Sequence, residues 1–167
     1  MGLQLLEREN EVFKVNKKMQ PQLEGYDYIL ERQLKPEARA DIVAAFINLG
    51  IRPTSMIDIS DGLSSEILHL CNKSKVGCSL FEEKVPMDVQ TKQMAEEFGI
   101  NPIVAALNGG EDYELLFTIS LDDYDKIKNE PDFTIIGHMT EAAEGINLVT
   151  AAGSAIPLEA QGWNHGK

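Results

Sequence analysis

The sequence predicts an α+β domain, with a mixed β-sheet packed against helices. Three observations carry that expectation. Apolar residues recur at helical spacing in several segments, and short β-rich runs lie between those segments. The two kinds of segment alternate without a strict strand–helix–strand rhythm. The composition, 43% apolar and 25% charged over 167 residues, suits one domain with a core of its own.

Residues 1–17 read as a polar amphipathic helix, with Leu3, Leu6, Val12 and Phe13 among charged neighbours. Pro21 and Gly25 then break it, so residues 1–25 are expected to form an arm and residues 26–167 the domain. Pro36 suits the first position of a helix that turns Ile42, Val43, Phe46 and Ile47 inward and stops at Gly50. Residues 54–59 alternate as a strand. The next helix is expected from about Asp61 to Lys73, with Leu63, Ile67, Leu70 and Cys71 inward. Further along, strands are expected over 77–85, 113–119, 133–139, 146–150 and 154–158, with helices over 88–99, 102–107 and 121–128.

With 15 basic against 27 acidic side chains, the net charge is −12, the opposite of what phosphate-backbone binding requires. A nucleic-acid partner is therefore not expected. The acidity suits either a solvated surface or carboxylates that hold divalent cations. No apolar run approaches the roughly 20 residues that span a bilayer, and Met1–Glu9 lacks the pattern of a signal peptide. Cys71 and Cys78 have no zinc-like partners, which points to a reducing compartment, by default the cytoplasm.

Two stretches concentrate chemistry. Asp58-Ile59-Ser60-Asp61-Gly62-Leu63 falls at a strand-to-helix junction. Period-two geometry puts Asp58 and Ser60 on one strand face, and Asp61 stands at the start of the helix. Such oxygen groups beside free N–H groups can ligate a hard cation and receive a phosphate, although Ser60 or Asp61 would serve equally well as a plain helix cap. The second stretch, Asn108-Gly109-Gly110-Glu111-Asp112-Tyr113-Glu114, places two acids on a glycine turn before an apolar strand, with Tyr113 expected in the core. In the tail, Trp163 suits a packing anchor or a platform for an aromatic cation. His69 and His138 stand alone and are expected to be structural. Neither a Walker-type phosphate loop nor a protein-kinase catalytic loop is present.

Together, Asp58–Leu63 and Gly109-Gly110-Glu111-Asp112-Tyr113-Glu114-Leu115-Leu116-Phe117 resemble the second half of the thiamine-monophosphate kinases. Arg32-Gln33-Leu34-Lys35-Pro36-Glu37-Ala38-Arg39 and Gly162-Trp163-Asn164-His165 support the match, which departs from the family at Gly166-Lys167. The wider family includes phosphoribosylaminoimidazole synthetase, selenophosphate synthetase and a hydrogenase maturation protein. The resemblance implies the carboxyl-terminal domain of an aminoimidazole ribonucleotide synthetase-like fold. It also implies a preceding domain that dimerises and carries much of the ATP and magnesium site, with residues 1–25 as the tail of that domain. By the same resemblance Asp58 and Asp61 bind Mg²⁺, Ser60 contacts ATP, and Glu111 and Trp163 contact thiamine monophosphate. The implied reaction transfers the γ-phosphate of ATP to thiamine monophosphate. A relative with another phosphate acceptor, a non-catalytic ligand-binding domain and a purely structural domain remain as rival readings.

Overall fold

A computed structural model describes residues 1–160. The helices are α1 (Gly2–Val15), α2 (Asp27–Leu34), α3 (Ala40–Leu49), α4 (Leu63–Ser74), α5 (Val89–Glu97), α6 (Pro102–Asn108) and α7 (Tyr124–Ile127). The strands are β1 (Ser55–Asp58), β2 (Gly77–Phe81), β3 (Leu115–Thr118), β4 (Gly137–Thr140), β5 (Ile146–Val149) and β6 (Ala155–Pro157). Local chemistry sets several boundaries. Asp88 caps α5 by accepting from Gln90 N at 2.7 Å, and Asn101 caps α6 by accepting from Ile103 N at 3.1 Å. Pro102 follows as the first residue of α6, where its missing N–H costs nothing.

β1 and β3 form an antiparallel pair in which Ser55 faces Thr118 and Asp58 faces Leu115. The remaining strands form a sheet in the order β4-β2-β5-β6, with β2 and β5 parallel and the other pairs antiparallel. The expected mixed sheet is therefore present.

Three apolar clusters hold these elements. Leu63, Ile67 and Cys71 of α4 pack with Leu80 of β2, Leu107 of α6, Leu116 of β3 and Leu148 of β5. Ile42 and Phe46 of α3 pack with Ile51 and Ile127, and the Phe46 ring meets Phe117 edge-on at 4.8 Å. Leu5 of α1, Ile29 of α2 and Met94 of α5 make the third cluster. Truncating a fully buried side chain such as Leu80 costs about 2–5 kcal/mol by the usual transfer and cavity terms. α1 thus lies on the domain, where Arg8 reaches Glu97 at 2.6 Å and its guanidinium stands 5.0 Å from the Phe98 ring centre. Among the described residues no helix is long and apolar enough to cross a membrane.

Some expectations fail for physical reasons. Pro36 does not start a helix: residues 35–39 stay irregular and α3 begins at Ala40. Arg39 is committed instead to ion pairs with Asp41 and Glu114. Of the four residues expected inward on α3, Ile42 and Phe46 are buried, whereas Val43 and Ile47 face outward, because α3 buries only a narrow stripe. β2 ends at Phe81, where a single 3-10 turn over Glu82–Lys84 takes over from the expected strand. Residues 133–136 lie outside β4, and Tyr113 lies outside β3 and is exposed.

Candidate functional site

Ile57 and Ile59 pack against the α4 cluster, while Asp58 on the alternate face is exposed. The chain then turns through Ser60 and Asp61, and α4 starts at Leu63 with Gly62 as its N-cap residue. Neither Ser60 nor Asp61 caps the helix, because no side chain accepts at that position. The turn is held instead by Glu66, which is 3% exposed and accepts from Asp61 N at 3.2 Å and Ser60 Oγ at 3.4 Å. Capping therefore leaves the Asp58 and Asp61 carboxylates unused. Among the described residues neither accepts a hydrogen bond or forms an ion pair, and Asp61 is exposed as well.

The second motif is bonded directly to the first. Ile59 N donates to Glu114 O at 2.8 Å, Tyr113 N to Ile59 O at 2.8 Å, and Glu111 N to Ser60 O at 2.7 Å. Two glycines allow this approach. A Cβ on Gly110 would stand 2.7 Å from Ser60 O, and one on Gly62 would stand 3.0 Å from Leu107 O, at a φ of +110°. Glu111 and Tyr113 are non-glycine residues in the left-handed region, with φ of 63° and 56°. Such residues cost energy and persist where surroundings over-determine them.

The surroundings here are acid-binding side chains from α2 and the segment after it. Arg32 Nη2 donates to Glu114 Oε1 at 2.6 Å and to Asp112 O at 3.0 Å. Arg39 pairs with the other oxygen of Glu114, and Gln33 Nε2 donates to Glu111 Oε2 at 2.5 Å. Asp112 is exposed overall, yet burial of its carboxyl and the charge of Glu114 raise its pKa, with Arg32 opposing. The turn borders a cleft of about 1250 Å³ that Tyr28, Arg32 and Gln33 line together with Glu111, Asp112 and Glu114. Burial, then the charge of Asp88, raises the pKa of the Tyr28 hydroxyl at the same cleft.

Asp58, Ser60 and Asp61 do not line that cleft, whereas their neighbours Ile59 and Leu63 do. Asp58 shares a face of the β1–β3 pair with its register partner Leu115, which does line the cleft. The structure thus joins the two motifs through their backbones. Two exposed carboxylates without a protein partner are hard oxygen donors, and magnesium is commonly held by one or two such groups with phosphate oxygens and water. The pair fits that role. It does not make an all-protein cage: among the described residues no group of three or more His, Cys, Asp or Glu side chains is gathered as a metal ion requires. Burial pushes the Cys78 thiol up to about 12 and raises Cys71, so neither supplies a thiolate at neutral pH. Trp163 lies outside the described residues.

Glu66, Gln33 and Arg39 were not singled out by sequence reasoning as working side chains. Glu66 reaches back six residues to Ser60, which no capping-box spacing would flag. Gln33 and Arg39 meet their partners across 78 and 75 residues of chain. Only the co-occurrence of Arg32–Arg39 with the acidic turn in a family pattern carried any hint of that contact.

The fold is shared with other solved proteins. A hydrogenase maturation protein HypE in complex with ATP matches with a TM-score of 0.59 at 16% identity, over 81% of this chain and 47% of its own. No protein-family model matches the chain. The sequence is related to the thiamine-monophosphate kinases. It is 35% identical to that of Aquifex aeolicus over 137 residues, 82% of this chain and 41% of the relative. The kinase of Pyrococcus abyssi is 34% identical over 82% of this chain and 41% of its own. A solved structure described as AaThiL complexed with AMPPCP and TMP matches with a TM-score of 0.70 and 33% identity, covering 95% of this chain and 47% of that one. The chain therefore spans less than half the length of the relatives it matches.

Proposed function

We propose that this chain supplies the carboxyl-terminal part of a thiamine-monophosphate kinase, cytoplasmic, magnesium-dependent and dimeric through its preceding domain. In this reading ATP donates its γ-phosphate and thiamine monophosphate accepts it. The observation that carries the reading is the backbone lacing of Ser60 to Glu111 and of Ile59 to Glu114 in a relative of these kinases. It brings two kinds of acid to one seam, the unpaired Asp58 and Asp61 and the amide-held Glu111. Two such kinds of acid suit an acceptor with phosphate at one end and a cationic, amine-bearing ring system at the other.

On the Asp58 side, Asp58 and Asp61 would hold magnesium, which when bound neutralises phosphate charge and helps align donor and acceptor. Ser60 would contact the nucleotide, its hydroxyl oriented by Glu66. On the cleft side, Glu111 would meet the cationic portion of the acceptor, with Trp163 as a second contact. The acceptor is already an anionic oxygen, so no strong base is required of this chain. Positioning is the larger task, and the residues present are of the kind that perform it.

The test is formation of thiamine diphosphate from ATP and thiamine monophosphate by a protein in which this chain follows the amino-terminal domain of a thiamine-monophosphate kinase. Product that depends on magnesium and on thiamine monophosphate supports the reading. ATP turnover driven by an aminoimidazole precursor instead would replace it with the related synthetase, and nucleotide binding without turnover would replace it with a binding domain.

A further inference from the structure

Glu111 is the acid assigned above to the cationic substrate, and its carboxylate is held by one neutral side chain. Gln33 Nε2 donates to Glu111 Oε2 at 2.5 Å, while Gln33 Oε1 accepts from Leu3 N at 3.1 Å. The two bonds fix the amide's orientation. Leu3 N can only donate and an ionised carboxylate can only accept, so a flipped amide would oppose like groups at both ends. Leu3 N belongs to the first turn of α1, whose free N–H groups receive no side chain from the helix's own N-cap. Gln33 thus provides an acceptor there from another helix.

The fit extends to Gly2, which is buried against Gln33: a Cβ added to Gly2 would lie 2.5 Å from Gln33 Cβ and 3.0 Å from Gln33 Oε1. Glu111 itself rests in the left-handed region, held by its N–H bond to Ser60 O. That bond fixes its backbone but leaves the carboxylate free to swing. Its direction is then set by Gln33, and the direction of Gln33 is set by the start of α1.

We infer that Gln33 is a positioning residue, which aims the Glu111 carboxylate and couples it to the docking of α1. The inference rests on the reading of Glu111 as the substrate acid. Glutamine is well suited to the task, because Glu lacks the donor, Lys lacks the acceptor, and Leu lacks both. Anything that shifts the start of α1 reaches Glu111 through this amide rather than by contact.

The test is a double-mutant cycle on the whole chain, read by NMR at the Glu111 and Asp112 amides. Gly2→Ala is expected to shift both resonances, and that shift should fall at least about threefold in the Gln33→Leu background. Equal responses in the two backgrounds, or no response to Gly2→Ala, overturn the coupling. Gln33→Glu separates the two bonds: Leu3 N–H keeps its acceptor and its protection from exchange, while the Glu111 signals move. If Leu3 loses protection and Glu111 does not move, the assignment is overturned. In the coupled assay Gln33→Glu is expected to raise KM for thiamine monophosphate about 10-fold with kcat and KM for ATP unchanged, the scale of one lost hydrogen bond to a charge. A change confined to kcat counts against positioning. If the wild-type protein makes no thiamine diphosphate, the functional reading fails, while the NMR cycle still decides whether Gln33 aims Glu111.

Discussion

The acids of the β1–α4 junction and those of the Gly109–Glu114 turn lie on adjacent, hydrogen-bonded backbone, yet the protein treats them in opposite ways. Asp58 and Asp61 are exposed and have no partner among the described residues. Glu114 is held by two arginines and Glu111 by an amide. A carboxylate that the fold leaves unpaired keeps its lone pairs for a cation delivered with the substrate. A carboxylate bound at both oxygens, as Glu114 is, serves to hold the backbone. Glu111 stands between the two, with one oxygen bound and one left to recognise a ligand. Charge alone would group all four acids together, whereas their partners separate them.

That contrast is broken most severely at Asp58. Asp58→Ala is expected to lower kcat by at least about 100-fold, the scale of removing one charge-stabilising group from a transition state. Its melting temperature should stay within about 1 °C of wild type, since no folded-state partner is lost. Steady-state kinetics and a thermal melt on the same sample check both halves. A variant that unfolds and keeps its turnover would reverse the assignment.

The seam between the motifs comes next. Gly62→Ala places a Cβ 3.0 Å from Leu107 O at a backbone angle that disfavours any side chain. A loss of about 2 kcal/mol in denaturant unfolding is expected, from strain and the shifted contact together. Because the glycine keeps the junction close to α6, the loss should carry protection of the Glu111 N–H to Ser60 bond with it, as hydrogen exchange would show.

Much of this was legible in the sequence, and the remainder was not for identifiable reasons. Strand periodicity located Asp58 and Ile59 on opposite faces, and Gly109-Gly110 marked the turn, since both signals are local. The partners of the turn are not local. Arg32, Gln33 and Arg39 lie in and just after a short helix that the pattern around Tyr26 did not delimit, and their partners lie some 80 residues onward. The proline at 36 pointed to a helix start because its own geometry permits one. In the structure residues 35–39 stay irregular, and Arg39 pairs both with nearby Asp41 and with distant Glu114. Tyr113 looked like core because it adjoins an apolar strand. Its left-handed backbone ends the alternation two residues before β3 begins at Leu115.

The held side of the comparison is probed by Glu114→Gln. The change removes the charge that two arginines share while keeping size. The side chains concerned are 22–33% exposed, so solvent screens much of the attraction. A loss of about 1 kcal/mol is expected at low salt, shrinking as salt rises. An undiminished loss in high salt would mean that hydrogen-bond geometry rather than charge holds the turn.

The smallest effect expected falls on Asp112, the acid of the turn whose carboxyl the fold disfavours in its charged form. Its pKa lies above the ordinary value of 3.8 because burial and Glu114 outweigh Arg32. The folded state therefore binds this proton more tightly than the unfolded chain does. Over the interval from that ordinary value up to the raised one, the unfolded state holds fewer protons, so this group makes stability fall as pH rises. Below the ordinary value both states are protonated and the effect vanishes. Above the raised value the full penalty is present. Asp112→Asn removes the charge and with it the penalty, so it should raise the melting temperature at neutral pH by on the order of 1 °C and leave it unchanged at acid pH. The opposite sign at neutral pH would mean that Arg32 recovers more from this carboxylate than burial and Glu114 take away. Asp112 would then belong with Glu114 among the acids that hold the turn.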